Sequence, residues 1–143
     1  GREAGVLYEE AVAEQAQTRE GGERQLWLAG LELKDGHYEK AEERYAAAAQ
    51  SASGEDSLDL RARAYFGLGE TAEAAGQAER AARHFMSVAV LFDDPEWTPH
   101  GLFRAGQQFG QAGKKAEQIS AWKELRERYP DSSFARQVEE DAP

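Results

Sequence analysis

A pattern that recurs every 37 to 40 residues constrains this chain more than any other feature. Ala4-Tyr8-Ala11, Ala41-Tyr45-Ala48, Ala81-Phe85-Val88 and Gln118-Trp122-Leu125 each place an aromatic residue at the fifth position and a small or aliphatic residue three further on. Their first members stand 37, 40 and 37 residues apart (4 to 41, 41 to 81, 81 to 118). Offsets of four and three put all three side chains on one helical face. A second stripe precedes the last three: Leu26-Ala29-Gly30-Leu33, Tyr65-Leu68-Gly69-Ala72 and Leu102-Ala105-Gly106-Phe109. It is also helical, with a glycine where a second helix can approach closely. Gly36, Gly76 and Gly113 fall between the paired helices. Glycine there adopts the left-handed conformation that ends one helix and reverses the chain.

The remaining boundaries are also helical. "SASGEDS" (51–57) is a loop rich in capping residues, "DDPEW" offers Asp94 as an N-cap ahead of Pro95, and "YPDSS" stops one helix at Pro130 and caps the next. The spacing predicts eight helices, near 2–17, 20–34, 37–50, 57–75, 78–92, 95–111, 114–129 and 132–140. No segment alternates as a strand does. The fold class this predicts is an all-α, right-handed solenoid of antiparallel helix pairs. Trp122 stands where Tyr8, Tyr45 and Phe85 stand and is expected to be buried between helices.

These stripes resemble the tetratricopeptide repeat. The resemblance covers about three and a half units: 1–18 as a half unit, then 19–56, 57–94 and 95–130, with 131–143 as a capping or next-unit helix. Its large–small–large signature is carried by Leu102, Ala105, Gly106, Phe109, Gly113, Trp122, Leu125 and Pro130, and nearly as well by residues 62–95. Gln118 replaces the family's usual alanine. The unit that begins near Glu23 fits if its turn is one residue short, since Gly30 to Gly36 is six residues where the other units have seven. The phrase "ELRERYPDSSFARQ" is similar to bacterial tetratricopeptide proteins of the cell envelope, which favours a periplasmic or envelope location over a cytoplasmic one.

Gly67-Leu-Gly69-Glu-Thr-Ala72 fits the G-x-G-x-x-A form of a dinucleotide-binding turn. Such a turn needs a strand before it and a helix after it. Here the charged, helix-favouring "DLRARAY" precedes, and Gly69 matches the packing glycines Gly30 and Gly106. The motif reads as helix packing, and no cofactor is expected.

Composition narrows the function further. The net charge is −10, from 27 acidic against 17 basic residues, which disfavours nucleic acid or an anionic membrane as partner. The chain has no cysteine, which excludes disulfides and thiol chemistry. Its only methionine is Met86, so it reads as a piece of a longer or processed protein. His37, His84 and His100 lack partners at metal-ligand spacing. The carboxylates alternate with basic residues as on a solvated face. No metal site and no catalytic residues are expected.

What the resemblance implies is a non-catalytic scaffold that binds a protein or peptide in a concave groove lined by the first helix of each unit. The residues carried over are Arg24, Trp27, Leu31 and Lys34 in the first unit and Arg63, Phe66, Glu70 and Glu73 in the second. His100, Phe103, Gln107 and Gln111 come from the third. Aligned, they would form a cationic–aromatic stripe that favours acidic and apolar ligands. The competing readings are an envelope-assembly or exopolysaccharide-export module that makes contact through its acidic outer face, and an accessory domain of a larger enzyme. The open edge left by helix 2–17, through Ala4, Tyr8 and Ala11, suggests self-association or further repeats upstream. No direct membrane insertion is expected.

Overall fold

The computed structural model describes residues 19–51 and 54–141. Seven α-helices follow in order: α1 (Arg19–Lys34), α2 (Tyr38–Gln50), α3 (Leu58–Ala74), α4 (Ala78–Leu91), α5 (Trp97–Gln111), α6 (Lys115–Arg128) and α7 (Ser133–Asp141). A single 3-10 turn, Glu55–Ser57, precedes α3. The expected helix 2–17, with its open edge, lies outside the described residues.

Each helix packs antiparallel on the next, giving a tetratricopeptide-type solenoid. α1, α3, α5 and α7 also touch one another in succession, whereas α2, α4 and α6 make no comparable contact. The layer whose members approach each other is the inside of the curve, so these first helices line the concave face.

The three hairpin turns share one geometry. Gly36, Gly76 and Gly113 have φ of 78, 77 and 75°, a region only glycine enters without strain. Gly36 N donates to Leu33 O and His37 N to Glu32 O, at 3.0 and 2.8 Å. The same pair of bonds recurs at Gly76 and Gly113. The first turn is therefore not one residue short. Counting back seven residues from each turn glycine aligns Ala29, not Gly30, with Gly69 and Gly106. Tyr45 stands sixteen residues after Ala29, as Phe85 does after Gly69 and Trp122 after Gly106.

What the interior glycines do follows from this register. A Cβ on Gly69 would overlap the Phe85 ring, and one on Gly106 the Trp122 indole. Gly67 faces the other way, against the Tyr45 ring of the preceding pair. The two glycines of Gly67-Leu-Gly69 thus let α3 lie close between α2 and α4. Gly30, by contrast, has nothing within 4 Å of where a Cβ would stand, so the close helix approach expected there does not occur. Tyr45 and Phe85 are buried, but Trp122 is only half-buried, contrary to expectation. Its indole Nε1 donates to Phe103 O at 3.1 Å, while part of its surface opens onto a hollow that the nine-residue α7 does not cover.

Asp94 caps α5 as its sequence context indicates. Its Oδ1 accepts from Glu96 N and Trp97 N at 2.9 and 2.8 Å, and Thr98 Oγ1 accepts from Asp94 N in return. On the inner layer a chain of rings joins successive first helices. Phe66 of α3 packs on Trp97 and His100 of α5, with centroids 5.3 and 4.4 Å away. His100 stacks on Phe134 of α7 at 4.5 Å and 12°. Burial, reinforced by the charges of Arg104 and Arg63, pushes the His100 imidazolium pKa down to about 4.

Two outcomes follow. Gly30→Ala should stabilise the fold by about 0.5–1 kcal/mol, since it removes a helix-interior glycine without a clash. Gly106→Ala should destabilise it by about 1–3 kcal/mol through overpacking on Trp122. Urea denaturation of the two variants measures both, and equal signs would contradict the register. The second outcome concerns pH. His100 titrates at about 4 when folded and near 6.5, the ordinary value of a solvated imidazole, when unfolded. The unfolded chain therefore takes up the proton first as pH falls. His100 stabilises the fold fully above that unfolded value, and the stabilisation is lost as pH drops towards 4. The stability difference between wild type and His100→Phe should change across this window, and a constant difference would refute the assignment.

Candidate peptide-binding groove

The concave face is built from one face of α1, α3 and α5, and its register is set by the hairpin turns. In α3 it presents Arg63, Phe66, Glu70 and Glu73, and in α5 His100, Phe103 and Gln107, with Gln111 at the end of the helix. These eight predicted residues come together on one side of the solenoid. The structure gives them different roles, however.

Phe66 is 2% exposed and Phe103 is 7% exposed. Trp97 and His100 seal the first ring, and Phe134 packs on the second. The rings are the floor beneath the groove, and an incoming ligand does not reach them as the sequence reading expected. The reason is the side-by-side packing of first helices, which turns groove-facing aromatics into contacts between units.

The basic residues of the floor are also occupied. Arg63 Nη1 lies 3.0 Å from Glu70 Oε1, with both atoms buried and misaligned for a hydrogen bond. Its guanidinium also lies over the Tyr45, Phe66 and Trp97 rings, 5.2 to 5.7 Å from their centroids. Arg104, on α5 beside the groove, pairs with Glu73, which also accepts from Gln108 Nε2 at 2.9 Å. Arg104 lies over the Phe66 and Phe85 rings. His100 is neutral near pH 7 because its pKa is so far depressed. The cationic stripe read from Arg63 and His100 is thus neutralised from within.

The first-unit residues lie elsewhere. Arg24, Trp27, Leu31 and Lys34 are each one position off the register of Arg63, Phe66, Glu70 and Glu73, a rotation of about 100° around α1, while Gln111 of α5 stands level with Lys34 rather than with Glu73. They share the face that α3 uses for Ala64, Gly67 and Thr71, and α5 for Gly101, Arg104 and Gln108. Among the described residues, that face turns towards the end of the solenoid. The positions on α1 that do align with the groove are Glu23, Leu26, Gly30 and Leu33. Leu26 and Leu33 pack partly against Ala29, Tyr45 and Leu68, and bare backbone at Gly30 lies between them. The sequence carried the signal that finds them, which is the constant seven-residue count from each turn glycine.

At its other end the groove opens into a hollow of about 780 Å³ lined by Gln107, Gln111, Gln118 and Trp122, among others. Those three glutamine side chains have no hydrogen-bond partner among the described residues, so their amides can both donate and accept. The groove therefore passes from an apolar segment on α1, across a neutralised floor, to an uncharged amide-rich end. Among the described residues no cluster of His, Asp and Glu could hold a metal, and no helix is long and apolar enough to cross a membrane.

No protein-family model matches the chain, and no curated protein matches it. Solved structures do. The type III secretion translocator chaperone SycD of Yersinia enterocolitica aligns with a TM-score of 0.66 and 25% identity, over 87% of this chain and 89% of SycD. SycD in complex with a peptide of the translocator YopD aligns with a TM-score of 0.62 and 26% identity, over 83% of this chain and 84% of that one. The chain thus shares a tetratricopeptide-type solenoid fold, over most of both chains, with this secretion chaperone.

Proposed function

We propose that this chain is a chaperone that holds an extended, mainly apolar segment of a secretion substrate along its concave face. The likeness to SycD with a bound translocator peptide is the observation that carries the reading. The groove chemistry supports it. Leu26, Gly30 and Leu33 offer an apolar path where a peptide can approach the helix backbone, and Gln107 and Gln111 offer amides that can bond a peptide main chain. With Arg63 and Arg104 already paired, the floor confers little charge preference. This replaces the acidic ligand expected from Arg63 and His100.

The envelope reading rests on "ELRERYPDSSFARQ" alone and has no counterpart among the structures reported above. The enzyme-accessory reading has none either.

The test uses Gly30. A side chain there meets nothing in the fold, so Gly30→Phe should fold normally while its ring fills the groove beside Leu26 and Leu33. Fluorescence anisotropy with labelled peptides tiling YopD should find tiles rich in apolar residues that bind the wild type. Gly30→Phe should weaken them about tenfold or more, as steric blocks at interface centres do, with an unchanged circular dichroism spectrum. If no tile binds, or if Gly30→Phe binds as well as wild type, the groove reading is wrong.

A further inference from the structure

The end face of α1 leaves large apolar side chains exposed. In α3 the equivalent face packs on α2, with Gly67 against Tyr45 and Ala64 beside Ala48 and Ala49. In α5 it packs on α4, where a Cβ at Gly101 would stand 3.0 Å from Phe85 O and 3.1 Å from Val88 Cβ. The fold thus uses this face twice to receive a helix. In α1 it consists of Arg24, Trp27, Leu31 and Lys34, and among the described residues no helix packs on it: Trp27 is 66% exposed and Leu31 42%.

Its charge identifies what it receives. The other basic side chains of the first helices are tied down. Arg19 forks onto Asp59, Arg61 donates to Ala49 O, Arg63 and Arg104 hold Glu70 and Glu73, and Arg136 donates to Asp131 O. Arg24 and Lys34 have no hydrogen bond or ion pair among the described residues, in a chain of net charge −10. They flank the exposed Trp27 and Leu31, ten residues apart, or about 15 Å along the helix.

We infer that this face binds an amphipathic helix of a partner protein, with small residues at its centre and acidic residues about ten positions apart. Where α3 and α5 have glycine or a paired arginine, α1 projects the Trp27 indole, so the partner must supply the hole. Alanine or glycine opposite Trp27 does so, and two carboxylates complete the ends. A second copy of this chain in two-fold contact through the same face would set Arg24 and Lys34 against their own equivalents and is disfavoured.

The test is titration of the full chain at low salt with two synthetic amphipathic helices. Both carry a central alanine stripe. One has glutamate at two positions ten apart, and the other has lysine there. The glutamate helix should bind about tenfold tighter, two exposed ion pairs each contributing a few-fold. It should also shift Trp27 emission to the blue. The double variant Arg24→Glu/Lys34→Glu should reverse the preference, and Trp27→Ala should weaken the glutamate helix by about tenfold. Equal binding of the two helices overturns the proposal. So does binding of neither, the result expected were the face filled from within the chain or by a second copy. The YopD tiles test the groove, so their success or failure leaves this result unaffected.

Discussion

The seating of one aromatic ring on one glycine is the contact on which this structure depends. Phe85 on Gly69 and Trp122 on Gly106 close two hairpins, and Tyr45 on Gly67 joins the first hairpin to the next. A ring can lie flat against a helix only where no Cβ intervenes, so these contacts bring the helix axes close and fix their rotation. Rotation in turn decides which residues reach the groove. α3 carries both kinds of seat two residues apart and is therefore held from both sides. Phe66, on that helix, anchors the rings that run on to α7. What resembled a nucleotide-binding turn is a double packing surface.

Much of the fold was legible because its signals are local. Helix ends agree within about two residues of the sequence reading, since glycine at positive φ and the Asp94 cap act on their own neighbours. The rotation of α1 was not legible in the same way. Ala29 and Gly30 are both small, and a stripe through either has helical spacing. Only the ring that seats on the helix separates them, and that ring is sixteen residues away. The burial of Phe66 and Phe103 was hidden for a related reason. A groove position and an inter-unit position differ only by what the next first helix lays over them, here Trp97, His100 and Phe134. Half-exposure of Trp122 depends likewise on the short α7.

Charge was the least legible property. Counting acids and bases along a helix finds partners three or four residues away. On the inner layer the pairs are Arg63 with Glu70, two turns apart, and Arg104 with Glu73 across two helices. Desolvation favours such pairing: an arginine half-sunk among rings loses hydration and is poorly stabilised without a carboxylate beside it. The floor is consequently polar yet nearly neutral. Selectivity there falls to shape and amide hydrogen bonds, while among the described first helices unpaired positive charge remains on Arg24 and Lys34 of α1.

α1 thus separates two chemistries by a rotation of about 100°. Leu26, Gly30 and Leu33 face the groove, and Arg24, Trp27, Leu31 and Lys34 face the end of the solenoid. The helix itself is well anchored. Ala29 is buried against α2 and α3 with Tyr45 and Leu68, and Arg19 forks onto Asp59 at 2.8 and 3.0 Å. Ligands on the two faces touch different side chains and share only a rigid backbone between them. Coupling between sites requires an element with two arrangements for both ligands to bias. A buried cluster and an ion-pair fork both hold α1 in the one arrangement seen. A peptide in the proposed groove and a helix on the proposed end face should therefore occupy α1 together, each with the affinity it has alone.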